Sequence, residues 1–251
     1  MPNRLARFER ELADLRGRLG RHVLAPAFTG TGISVDGESL PETIDIDGIQ
    51  VTQELFARLF LLANNAQCTV EVEKEKTGDE APPGIYIKSR HPWLEHYNRV
   101  GLYRLAPHGS GAEGKGVFID HVFYDKVKAP DQVGTFSFAQ SALAAYEIGY
   151  DEITLLAGGG AGANAGQWNP SDMVGYIVWP KFGFDAPLEE GETIHIEHLS
   201  KCETVSEVRK ADLDWWEKKG GNGRVMRFDL LPESESWRTL LDYIKGKKEF
   251  A

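Results

Sequence analysis

Residues 116–127 (GVFIDHVFYDKV), 131–137 (DQVGTFS), 138–150 (FAQSALAAYEIGY), 152–160 (EITLLAGGG) and 172–187 (DMVGYIVWPKFGFDAP) follow one another with little between them. The first is an apolar run with β-branched and aromatic residues and reads as a strand. The second carries Gly134 and reads as a turn, and the third is Ala-rich and reads as a helix. A second strand and a short aromatic helix complete the stretch. A strand that feeds a glycine turn and then a helix places free backbone N–H groups at a helix start, where an anion can sit.

Working outward toward the N-terminus, the segments CTVEVEKE (68–75), PGIYIKSR (83–90) and RVGLYRLA (99–106) read as successive strands. Hairpin-linked strands followed by a strand–helix–strand crossover imply an α/β or α+β fold. The sheet is expected to be mixed and mostly antiparallel, with helices on both faces. Further upstream, TQELFARLFLLANNAQ (52–67) reads as a helix with Thr52 as N-cap. Leu5, Phe8, Leu12, Leu15 and Leu19 form one apolar stripe of an N-terminal helix ending near Gly20. Residues 25–48 are rich in Gly, Pro, Ser and Asp and read as a linker or hairpin region.

Toward the C-terminus the pattern gives a strand at ETIHIEHL (192–199), a charged helix at 205–219, a strand at GRVMRFDLL (223–231) and a last helix starting from Ser-Glu-Ser. The reading is of one main domain over 51–251, with an inserted helix near 205–219 and a helical extension over 1–50.

Composition narrows the classes of function. Lys plus Arg number 28 against 38 Asp plus Glu, for a formal charge of −10. That balance argues against a nucleic-acid or anionic-membrane partner, since both demand a basic surface. Cys68 and Cys202 stand far apart without metal-ligand or redox spacing and read as reduced thiols. No apolar run approaches the ~18 residues of a membrane span. The charged N-terminus lacks the apolar centre of a secretory signal, so the expected location is the cytoplasm.

The order of these parts, closed by Gly183-Phe184, resembles the acyl-CoA-binding half of the GNAT N-acetyltransferase family over roughly residues 84–198 and best over 117–185. In that family the fourth and fifth strands splay apart around the cofactor's pantetheine arm. Its pyrophosphate rests on a turn of the form Gln/Arg-x-x-Gly-x-Gly/Ala. The resemblance implies acetyl-CoA or another acyl-CoA as co-substrate, with Tyr124, Lys126, Val133, Gly134, Thr135, Phe136 and Ser137 around it. Ser137 replaces the second glycine and the spacing is one residue off. The other reading of the turn is a plain strand-to-helix connection capped by Thr135.

The family's helix pattern Asn-x-x-Ala-x-x-x-Tyr-x-x-x-Gly-Phe, anchored on Gly183-Phe184, places Asp172 at Asn, Gly175 at Ala and Trp179 at Tyr. That tyrosine often serves as general acid. An indole N–H cannot give up its proton near neutral pH, so Tyr176, three residues earlier, is the substitute acid. Pro180 should end or kink the helix at Trp179. An aromatic anchor packing on the sheet is the alternative for Trp179, Phe182 and Phe184.

Asp120 or His121 is the candidate general base, one of them pointing into the cleft by strand alternation, with His195 and His198 behind them. The loop 158–170 is either a lid or an exposed connection. The implied activity is acyl transfer to an amine of a small molecule or protein. The competing reading is a catalytically inactive module acting through protein contacts, by the N-terminal helix or Trp215-Trp216. A hydrolase using His121, His195 or His198 lacks any supporting nucleophile motif.

Overall fold

The computed structural model describes residues 2–75, 81–105, 113–162 and 173–251. Asp172, most of the loop 158–170 and the connection at 106–112 lie outside the described residues. The chain is α+β, with a mixed, mostly antiparallel sheet flanked by helices. It divides into two compact units. The first holds residues 1–153, 230–233 and 244–251, and the second holds 154–229 and 234–243.

The first unit opens with α1 (Pro2–Arg21), whose Phe8, Leu12, Leu15 and Leu19 are all buried as the spacing predicts. Phe8 meets Tyr146 edge-on at 5.7 Å, and Arg16 pairs with Glu147 at 2.7 Å. From Phe8 to Leu19 the stripe is therefore buried, with Phe8 against Tyr146 of helix α3 (Val133–Ile148), while Leu5 remains 50% exposed. Two minimal strands, β1 (Ser34–Val35) and β2 (Glu38–Ser39), and a hairpin, β3 (Thr43–Ile46) and β4 (Ile49–Thr52), follow.

Thr52 caps α2 (Gln53–Leu59) by accepting from Leu55 N at 3.2 Å. This helix stops well short of the predicted 67, because Leu61 and Asn65 adopt left-handed backbone. Strands β5 (Gln67–Glu73), β6 (Gly84–Arg90), β7 (Asn98–Arg104) and β8 (Lys115–His121) pair antiparallel in series, and β1 adds to β5 in parallel. The order is β8-β7-β6-β5-β1-β2.

Register sorts the side chains onto two faces. Ile87, Val100 and Ile119 share the apolar face, together with Ser89 and Asn98, and all are buried. Asn98 Nδ2 donates to the carbonyl of Phe60 at 2.8 Å, and Ser141 Oγ donates to that of Leu59 at 2.8 Å. These bonds satisfy the last carbonyls of α2, which have no partner within the helix. Helix α3 is apolar around its whole circumference and buried from Thr135 to Ala145, as a helix enclosed on every side must be. The other face carries Glu71, Tyr86, Arg99 and Phe118.

The second unit carries β9 (Glu152–Gly160) from Thr154 on, with β10 (Asn222–Asp229) as its sheet neighbour. Its helices are α4 (Gly175–Lys181), α5 (Val205–Ala211), α6 (Leu213–Trp215) and most of α7 (Glu235–Lys245). The single charged helix predicted over 205–219 is broken at Asp212, whose carboxylate accepts from Trp215 N at 2.9 Å and thus caps the next turn. The strand predicted at 192–199 is a run of turns. Ile196 N and Leu199 N bond three residues back, to Thr193 O and Ile196 O, at 2.9 and 2.8 Å. Ser234 caps α7 as the Ser-Glu-Ser sequence predicts, accepting from Trp237 N at 3.3 Å.

Candidate functional site

The strand predicted over 117–127 ends at His121. A register shift at Arg99/Val100 inserts Asp120 as an extra residue, and the chain then leaves β7. It pairs instead with residues 93–95, through Glu95 N to Phe123 O at 2.9 Å and Asp125 N to Trp93 O at 2.8 Å. Asp125 closes the following turn. It accepts from the backbone of Val127 and Lys128 and from Lys128 Nζ, which together hold its carboxyl down at about 2. Lys126 sits exposed on that turn.

This detour carries Tyr124 back over the start of α3. The helix begins after Gln132, which is in the left-handed region (φ 64) and provides no side-chain cap. Thr135, expected to cap the helix, lies inside it, its hydroxyl 3.4 Å from Gln132 Oε1. Tyr124 O–H and Ser137 Oγ are 2.8 Å apart, and burial pushes the Tyr124 phenol up to about 12. Val133, Thr135, Phe136 and Ser137 are buried, and Phe136 packs on His22 at 4.9 Å and Phe28 at 5.3 Å. Gly134 is different. A Cβ there would meet only the Tyr124 ring, at 3.8 Å.

Asp120 is exposed and bonds Arg99 Nη1 at 2.9 Å. Arg99 also donates to Glu71 at 2.7 Å and to Glu73, and its guanidinium lies 4.0 Å above the Tyr86 ring. Burial disfavours the Arg99 charge, but Glu71 and Asp120 outweigh it and raise the Arg99 pKa, while Glu71, though partly desolvated, is lowered by Arg99 and Lys88. Register places His121 across from Arg99, with its ring 4.6 Å from Tyr97. Burial lowers the His121 pKa from its ordinary 6.5, against the pull of Asp120, and keeps the imidazole neutral at neutral pH. Its Nε2 is buried and has no hydrogen-bond partner among the described residues.

The other named residues lie in the second unit. Helix α4 ends one residue after Pro180, and Gly183 (φ +99) takes a conformation only glycine adopts easily. A Cβ on Gly183 would also stand 2.3 Å from Ser236 O. Trp179 packs edge-on against Phe182 and Phe184, at 5.9 and 5.3 Å. Tyr176 O–H donates to Glu217 O at 3.0 Å, and burial and Glu217 raise its pKa. Trp216 is fully buried, with Nε1 donating to Tyr176 O at 2.9 Å, so it is a core residue of this unit. His198 pairs with Asp212 at 2.9 Å.

The structure thus gathers Tyr124, Gly134 and Ser137 at one helix start and sets Asp120 and His121 side by side at the end of β8. Arg99, Glu71 and Glu73 are the residues that sequence reading passed over. Their only signal was two glutamates at alternate positions of a strand. No group of three His, Cys, Asp or Glu side chains stands where it would hold a metal ion among the described residues, and none of their helices is long and apolar enough to cross a membrane. A scan against protein-family models and searches of curated proteins and of solved structures found no match to the chain.

Proposed function

We propose that this chain is an acyl-CoA-dependent N-acyltransferase of the GNAT type, holding the pyrophosphate of its acyl donor at the first turn of α3. The observation that carries this reading is Gly134. Its backbone is not in the left-handed region, and no neighbour would clash with a side chain there. A helix glycine costs up to about 1 kcal/mol relative to alanine. Neither backbone geometry nor packing accounts for it, whereas close approach of a phosphate to the backbone does. The helix dipole and the first N–H groups of α3 supply the matching positive potential.

In this reading His121 accepts the proton of the attacking amine, which requires a neutral imidazole and a side-chain movement that opens its buried Nε2 to the amine. The amine nitrogen then attacks the thioester carbonyl and CoA leaves as the thiolate. Tyr176 keeps its proton on the Glu217 carbonyl, so the thiolate is protonated by solvent. Asp120, bound to Arg99, serves to hold the strand end.

Thermal melts with millimolar acetyl-CoA test the proposal. The wild type should be stabilised by mass action, and Gly134→Ala should be more stable alone yet lose that shift. No shift for the wild type removes the reading. A second reading, a non-catalytic binding or assembly module on the same fold, is favoured by the engagement of the Tyr176 hydroxyl and of Asp120 within the protein. A thiol-release assay with amine acceptors separates the two: binding of acetyl-CoA without any thiol release selects the module.

A further inference from the structure

The second unit contains a cavity of about 250 Å³ whose wall includes Arg209. Arg209, on α5, lines it, and its Nε is buried without a hydrogen-bond partner among the described residues. Burial lowers the pKa of this guanidinium, against the pull of Glu217 and Asp185. Asp185 is engaged elsewhere. Asp185 accepts from Ala186 N and Ser206 N, each at 2.9 Å, and from Ser206 Oγ at 2.7 Å. Glu217 stands 3.2 Å from Lys181, and its Oε1 is buried without a hydrogen bond among the described residues. The other cation of the cavity wall, Lys210, is paired with Glu235 at 2.5 Å.

A desolvated guanidinium is expensive unless an anion satisfies it. The rest of the wall says which anion. Asp185 and Glu235 line the same cavity and repel a multiply charged guest such as phosphate. Pro180, Phe184 and Leu213 give it apolar wall. The volume lies just below the ~300 Å³ at which drug-sized sites begin, so the guest is small. We propose that this cavity binds a small monocarboxylate, with the carboxylate on the Arg209 guanidinium and a short hydrocarbon chain against Pro180, Phe184 and Leu213. This assignment is independent of the acyl-CoA reading, because it uses none of the residues at the start of α3.

The test is a titration of the full chain with acetate, butyrate, hexanoate and inorganic phosphate, followed by the Arg Nε–H resonances in NMR. Butyrate or hexanoate is expected to shift the Arg209 signal and to bind at least tenfold tighter than acetate, without displacement by phosphate. Arg209→Met should stay folded, as its melting curve will show, and bind these acids at least tenfold more weakly. Leu213→Ser, at a position 43% exposed, should erase the gain with chain length and leave acetate binding unchanged. Gly134→Ala should bind the acids as the wild type does. Equal binding by wild type and Arg209→Met, or phosphate competing as well as butyrate, would overturn the proposal.

Discussion

Arg99 in the first unit and Arg209 in the second are both drawn partly out of water, and their surroundings are opposite. Arg99 is matched by Glu71, Glu73 and Asp120 and stacked on Tyr86, and its charge is stabilised well above the ordinary level. Arg209 Nε has no hydrogen-bond partner among the described residues, the nearby Asp185 is held by Ala186 and Ser206, and the charge of Arg209 is destabilised. The contrast separates two uses of a buried cation. Where carboxylates close around it, the group holds strands together. Where they do not, the protein carries an uncompensated charge in its folded state, and a ligand is the natural counter-ion.

The largest effect should come from breaking the matched case. Arg99→Met leaves three carboxylates facing one another, and unfolding in urea is expected to show a loss of about 3 kcal/mol. That is the low end of the range for a buried pair, because the glutamate and aspartate side chains are 27–34% exposed and water partly screens them. A loss below about 1 kcal/mol, the level of a surface pair, would dissolve the contrast.

Histidine extends the comparison to a buried group that can shed its charge. His22, His91 and His121 all have pKa values lowered below 6.5 by desolvation. Above 6.5 folded and unfolded states are both neutral, so these residues have no effect on the pH dependence there. As pH falls through that value the unfolded chain takes up protons first, and stability drops until the folded pKa values are passed. Denaturation midpoints should therefore fall between about pH 7.5 and about pH 5.5. His121→Phe, which keeps a ring beside Tyr97, should flatten the slope. An unchanged slope would show that the His121 ring is wetter than its buried Nε2 implies.

Gly134→Ala is the smaller probe at the helix start, with an expected gain of about 0.4–1 kcal/mol from reduced freedom of the unfolded chain. A destabilised variant would mean that packing, and not a ligand, requires glycine there. Last, Arg209→Met should leave the unliganded protein as stable as the wild type or more so, because it removes a charge that lacks a counter-ion. Set beside Arg99→Met in the same urea experiment, it measures the comparison directly.

Strand and helix identity was legible wherever periodicity was strong and local capping agreed with it. Thr52 and Ser234 cap the helices their neighbours predict, and β5, β6, β7 and β8 fall on the expected apolar runs. Reading failed where a local hydrogen bond overrode hydropathy. Asp212 ends a helix that its flanking residues would have continued, and residues 192–199 fold as turns despite alternating Ile and His. Of the candidate site, the place of Gly134 in a strand–turn–helix was readable from the chain. The return of Tyr124 over it was not, because it follows from pairing between residues 93–95 and 123–125, nearly thirty positions apart.

The sequence by itself determined the α+β class, the order of the elements from β5 to α4 and the glycine that opens α3, all of which rest on periodicity and turn chemistry within a few residues. Only the tertiary structure decided which side of each strand is covered. Along β5, Glu71 and Glu73 turn toward Arg99 while Val70 and Val72 remain 43% and 63% exposed. A period of two proves a strand, but the two faces of a strand are equivalent until something packs against one of them. Here a single buried guanidinium, set on another strand 26 and 28 residues away, accompanies the covered, acidic side. The same holds for Arg209, whose significance lies in the cavity it lines and in Asp185, which Ala186 and Ser206 hold before it can reach the guanidinium.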